Sequence, residues 1–264
     1  MEGIYDWAKL IDSRLHQRII NDWEELLNND KLKERDYHAF LALSPGLFLT
    51  GRRSHLVISK LKLGSDYETD FVVVNEGYSN GTMYNLIEIE SPHTKLFDLS
   101  GKPTAKLNAA LQQIRDWRRF LIDNRIFMKK AFPTVTTRVI KNSKLTFTIV
   151  IGRRTDNLEH LEKREQIAEQ ENVNIISYDR LTDYAKRLHC SIYPNVNSCE
   201  LDHMSFSMQN ELANPFFKCL SDSIWKSINR EAHFHVYSHI LNILKHRRYN
   251  KYYDTFKSIV DNEF

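Results

Sequence analysis

Between residues 30 and 190 the chain alternates short apolar runs with segments whose apolar residues recur every three to four positions. No other feature constrains the fold as strongly. β-type runs stand at "HLVISKLKLG" (55–64), "TDFVVVNEG" (69–77), "MYNLIEIES" (83–91), "KLTFTIVIGRR" (144–154) and "NIISY" (174–178). Helical patterns cover 32–43, 104–123, 159–173 and 179–189. Strands interleaved with helices predict a layered α/β core with a mixed β-sheet flanked by helices. The turn cluster "GYSNG" (77–81) joins two of the strands as a hairpin, so that part of the sheet is antiparallel. Helix 32–43 should stop before Pro45, because a residue preceding proline is pushed out of the helical region. Asp179 suits the N-cap of the helix over 179–189.

The flanks read differently. Ile4, Trp7, Ile11, Leu15, Ile19, Trp23 and Leu26 form one helical stripe, which predicts an N-terminal helix over 1–29. After about 190 the sequence turns polar and irregular, then shows helical patterns near 215–229 and 231–247. The expected division is an N-terminal helix (1–29), a core domain (30–190) and a helical C-terminal extension (191–264).

Composition narrows the class. With 42% hydrophobic and 27% charged residues, the 264-residue chain reads as globular and not disordered. The net charge of +3 does not by itself demand a nucleic-acid partner. Three cysteines, Cys190, Cys199 and Cys219, form neither a CxxC pair nor an even framework. The N-terminus lacks the basic and apolar regions of a secretion signal, and no run approaches 18 apolar residues. These features predict a cytoplasmic protein.

The run "YNLIEIESPHTKLF" (84–97) carries the chemistry. Residues i and i+2 of a strand share a face, so Glu88 and Glu90 point together. Asp70 shares a face with Val72 and Val74, and a hairpin would bring it to the same end as the two glutamates. Three carboxylates in a half-buried site require either a bound proton or a bound cation. Mg²⁺ or Mn²⁺ suits such hard oxygen ligands. A solvated sheet face is the plainer alternative. An Asp followed 18 positions later by a Glu at a strand end, with a third charged residue two further on, is the PD-(D/E)XK nuclease pattern.

Several segments widen that match. They are "ERDYHAFLALSPGLFL" (34–49), "LGSDYETDFVVVN" (63–75), "IEIESPHTKLF", "LNAALQQIRDW", "TIVIGRR" and "IISYDRL". Together they resemble the Shedu family of bacterial antiphage defence proteins, over roughly 30–190. The resemblance implies a PD-(D/E)XK restriction-endonuclease-like core, a divalent-metal-dependent DNA endonuclease, and self-association into a homo-oligomer. It makes Asp70 the motif's Asp and Glu88 its Glu. It places Glu90 where lysine is usual, and adds Gln113 and Glu34 as further site residues, Glu34 toward the metal. Periodicity agrees for Gln113, which shares a helix face with Ala110, Ile114 and Trp117.

Glu90 in place of lysine leaves three options. Glu90 is a metal ligand or general base, a lysine from elsewhere such as Lys95 or Lys106 substitutes, or the site is silent and the module only binds DNA or acts as a scaffold. Arg115, Arg118 and Arg119 share the Gln113 helix, and His93 and Lys95 follow the ExE strand. All five are candidates for nucleic-acid contact. Arg153 and Arg154, and the C-terminal "KHRRYNKYYDTF", are weaker ones. His235 and His239 sit at metal-pair spacing but lack a third ligand.

Overall fold

The computed structural model describes residues 14–51, 54–76, 82–132, 144–191, 217–231 and 258. They divide into two compact units, one from 14–55, 181–191 and 217–219, the other from 56–180 and 220–231. The expected helix 231–247, the "GYSNG" turn, His235, His239 and "KHRRYNKYYDTF" lie outside the described residues, apart from Glu231.

The first unit is helical. Helices α1 (Arg14–Leu27), α2 (Glu34–Leu43) and α3 (Pro45–Phe48) pack around Trp23. Its ring lies 5.3 Å from Phe40 and 4.9 Å from Phe48, and its Nε1 donates to Thr182 Oγ1 at 3.0 Å. Helix α2 ends at Leu43, as the proline argument requires, and Pro45 then opens α3, where a missing N–H costs nothing.

The second unit holds a six-stranded mixed sheet. In chain order its strands are β1 (Ser54–Ser59), β4 (Phe71–Glu76), β5 (Thr82–Ile89), β6 (Leu145–Val150), β7 (Asn174–Ile176) and β8 (Leu220–Ser221). The spatial order is β7-β6-β5-β4-β1-β8. Strands β4 and β5 run antiparallel, as the hairpin reading expects, while β5, β6 and β7 are mutually parallel. Helices α4 (Ala105–Asp123) and α5 (Arg125–Ala131) connect β5 to β6, and α6 (Leu158–Glu171) connects β6 to β7. Parallel neighbours need such crossovers. Helix α7 (Tyr178–Ser191) follows β7, and α8 (Asp222–Glu231) follows β8.

One sheet face packs on α4. Val72, Val74, Tyr84, Leu86, Phe147 and Ile149 meet Leu107, Ala110, Ile114 and Trp117 in a single apolar cluster. The opposite face, with Phe71, Val73, Ile87 and Ile89, is buried as well. Strands buried on both faces read as continuous apolar runs, which is why "FVVV" and "TIVI" lack alternation.

Three local readings change. The run 55–64 is not one strand. It breaks at Lys60, whose φ of 54° is left-handed, and continues as β2 (Lys62–Leu63), paired with β3 (Tyr67–Glu68) in a separate ribbon. Asp179 lies inside the first turn of α7 and is not its N-cap, because the helix starts at Tyr178. Its carboxylate instead accepts from Arg153 and from the Arg154 backbone N–H. The C-terminal extension contributes β8, which pairs in parallel with β1 at the sheet edge through Ile58 opposite Leu220. A two-residue strand carries no periodic signal.

Candidate active site

Register brings the carboxylates together. Phe71 pairs with Ile87 and Val72 with Leu86, so one further step sets Asp70 across from Glu88. Asp70 Oδ2 accepts from the Ile89 backbone N–H at 2.8 Å, which fixes the carboxylate in that gap. Glu88 and Glu90 continue the face of Tyr84 and Leu86 beyond the apolar cluster and toward α4. Asp70 is 5% exposed, and Glu88 and Glu90 are each 7% exposed. The solvated-face alternative therefore does not describe these residues.

Each carboxylate has a partner. Lys60 Nζ donates to Asp70 Oδ1 at 2.5 Å and lies 3.8 Å from Glu68. Gln113 Nε2 donates to Glu88 Oε2 at 2.9 Å. Lys106 Nζ donates to Glu90 Oε2 at 3.1 Å. Helix α4 thus supplies two partners. Gln113 is where its helical face predicts, and Lys106 is one of the two lysines the sequence offers as a substitute for the motif's own.

Burial works to lower the pKa of Lys60. The hydrogen bond to Asp70 and the charges of Asp70, Glu68 and Glu88 outweigh it and hold the ammonium above its ordinary range. Lys60 stays a cation at neutral pH. Its positive φ is rare for a lysine and is held by its N–H, which donates to the Asp70 carbonyl at 3.0 Å. Sequence reasoning missed Lys60. The only trace was a lysine interrupting an apolar run, and its nearness to Asp70 exists only once the strands are paired.

Asp70 and Glu88, facing each other across two strands, offer the hard oxygens that Mg²⁺ or Mn²⁺ takes together with water and a phosphate oxygen. Among the described residues no group of three His, Cys, Asp or Glu is arranged to hold a metal ion. Lys106 engages Glu90.

The remaining predicted residues are placed as follows. Glu34 opens α2 in the helical unit. Arg115 pairs through two nitrogens with Glu171 (Nε at 3.0 Å), which holds the guanidinium above and the carboxylate below their usual pKa values. Arg118 donates to the Glu171 and Asn172 carbonyls and lies 4.8 Å from the Phe147 ring, so it caps the C-terminus of α6. Arg119, His93 and Lys95 are exposed. Of the ten named side chains, Asp70, Glu88, Glu90 and Gln113 come together.

A family profile described as Shedu protein SduA, C-terminal, matches residues 31–182, more than half of the 264. The chain belongs to the Shedu family. The match encloses all four clustered residues together with Lys60 and Lys106, so the site lies within the Shedu domain. No curated protein matches the chain. No helix among the described residues is long and apolar enough to cross a membrane.

Proposed function

We propose that this Shedu domain is a divalent-metal-dependent nuclease of PD-(D/E)XK type that hydrolyses DNA phosphodiester bonds in defence against phages or plasmids. The observation that carries the reading is the set of three buried carboxylates, Asp70, Glu88 and Glu90, on adjacent strand ends with lysines 60 and 106 converging on them. The mixed sheet flanked by helices supports it, as does the family.

Asp70 and Glu88 would hold Mg²⁺ or Mn²⁺, which would supply Lewis-acid polarisation of the scissile phosphate. Gln113 fixes the Glu88 carboxylate by donating to one of its oxygens. Lys60 neutralises Asp70, and a bound Mg²⁺ or Mn²⁺ would add its positive charge beside that pair. Glu90 seats Lys106. That ammonium then offers the positive charge which the missing motif lysine would have aimed at the developing phosphorane-like charge. With Lys106 displaced, Glu90 can take the proton from the attacking water. In this scheme the exposed His93, Lys95 and Arg119 would contact phosphates, and self-association belongs to it as well.

A second reading has an observation in its favour. Every carboxylate already has a protein partner, as expected of a site that binds DNA without cutting it. Calorimetric titration of the full chain with Mn²⁺ separates the two. A live site binds Mn²⁺ and loses it in Asp70→Asn and Glu88→Gln. A binding module takes up no Mn²⁺ and keeps its DNA affinity in both variants.

A further inference from the structure

Among the described residues, two that are not glycine have a left-handed φ, Asn172 at 50° and Lys60 at 54°. Asn172 follows the last residue of α6, a place where asparagine is common. A lysine is less suited to such a turn. Its Cβ is strained there, and glycine or asparagine would close the turn with less strain. Strain kept beside a site points to what the side chain does in it.

The turn ties Lys60 to Asp70 twice. The Lys60 N–H donates to the Asp70 carbonyl at 3.0 Å, and Lys60 Nζ donates to Asp70 Oδ1 at 2.5 Å. Asp70 Oδ2 accepts from the Ile89 N–H at 2.8 Å. Each oxygen of this buried carboxylate therefore already has a donor. A divalent cation that takes Asp70 shares Oδ2 with an amide or Oδ1 with an ammonium. Either way two cations sit on one carboxylate, a few ångströms apart, and like charges at that separation repel. Glu68 lies 3.8 Å from the same ammonium, and the Glu88 charge acts on it as well. Lys60 thus feels both carboxylates assigned to the metal.

We infer that Lys60 is a built-in counter-cation that holds down the affinity of Asp70 and Glu88 for a divalent cation. It neutralises and orders Asp70 without metal, and it repels a metal ion that joins it. The metal is then held loosely, and its occupancy follows its concentration in solution. The inference rests on the metal-binding part of the nuclease reading and goes beyond it by naming the residue that sets the affinity. A lysine with a merely structural role has the opposite signature. Its removal would loosen Asp70 and weaken metal binding.

The test is calorimetric titration of the full-length protein with Mn²⁺, comparing wild type, Lys60→Gly and Lys60→Asn. Both replacements suit a left-handed backbone and carry no charge, so either one keeps the test available where the other fails to fold. The expected result is Mn²⁺ binding about tenfold tighter in both variants. The Lys60 side chain is 44% exposed, and solvent screening keeps the gain near that figure. Adding Asp70→Asn should abolish the gain, because the shared carboxylate is then gone. Binding by both Lys60 variants where the wild type takes up no Mn²⁺ would support the inference most strongly. Wild-type binding that is unchanged or weakened in both variants would overturn it and leave the nuclease reading standing. No Mn²⁺ binding by any of the three would overturn both. Tighter binding in the variants, with no cleavage of DNA by the wild type, would sustain the inference and count against the nuclease reading alone.

Discussion

Glu90 carries the main question at the scale of single residues. Where PD-(D/E)XK sites usually have a lysine this chain has a carboxylate, and a carboxylate 7% exposed needs a cation. Lys106 provides it from the first turn of α4. The Lys106 side chain is 63% exposed, so the pair is only half desolvated and its coupling is modest. Lys106→Met should destabilise the protein by about 1–2 kcal/mol, because it leaves Glu90 buried beside Glu88. Adding Glu90→Gln should return most of that loss. A urea-denaturation double-mutant cycle measures the coupling, and strictly additive losses would show that the two side chains do not interact. Gln113 was legible from its helix face and Glu88 from strand alternation. Lys60 was not, because its position depends on a left-handed residue that no propensity marks.

At the scale of elements, the contacts that aim the site are ordinary structural ones. Helix α4 reaches the carboxylates because Arg115 and Arg118 tie it to the end of α6. Their pattern alone, three arginines on one helix, reads equally as a phosphate-binding face. Only the position of Glu171 decides their present partners. The turn after β6 is held by Asp179. Burial works to raise the Asp179 pKa, but the Arg153 hydrogen bond, the Arg154 N–H and both guanidinium charges hold it below the usual range. A carboxyl whose pKa is lowered on folding contributes stability above its unfolded pKa, and the contribution fades as pH falls through the folded value. Between about pH 5 and pH 3 the wild type should therefore lose more stability than Asp179→Asn. Equal acid sensitivity, read from urea midpoints at each pH, would remove Asp179 from the account. Gly152→Ala should cost at least about 1–2 kcal/mol for the left-handed Cβ alone and more for its overlap with Thr94. A thermal midpoint unchanged from wild type would show that the turn can relax.

For the whole molecule, alternation of strand and helix patterns was enough to give the α/β class and the antiparallel hairpin. It could not give β8, because a two-residue strand from the far end of the chain is recruited by pairing with β1 and not by its own sequence. Nor could it show that the "HLVISKLKLG" run splits between two sheets, which is what delivers Lys60 to Asp70. The site is therefore assembled from the β1–β2 junction, two adjacent strands and one crossover helix. Such a layout concentrates charge where sheet and helix diverge. The most direct test is cleavage of linear and circular DNA by the full chain with Mg²⁺, Mn²⁺ or EDTA, comparing wild type, Glu88→Ala and Lys106→Met. The expected result is metal-dependent cutting by the wild type, none by Glu88→Ala, and a rate at least about tenfold lower for Lys106→Met. Undiminished cutting by Glu88→Ala, or cutting that persists in EDTA, would contradict the assignment of these carboxylates as a metal-dependent nuclease site.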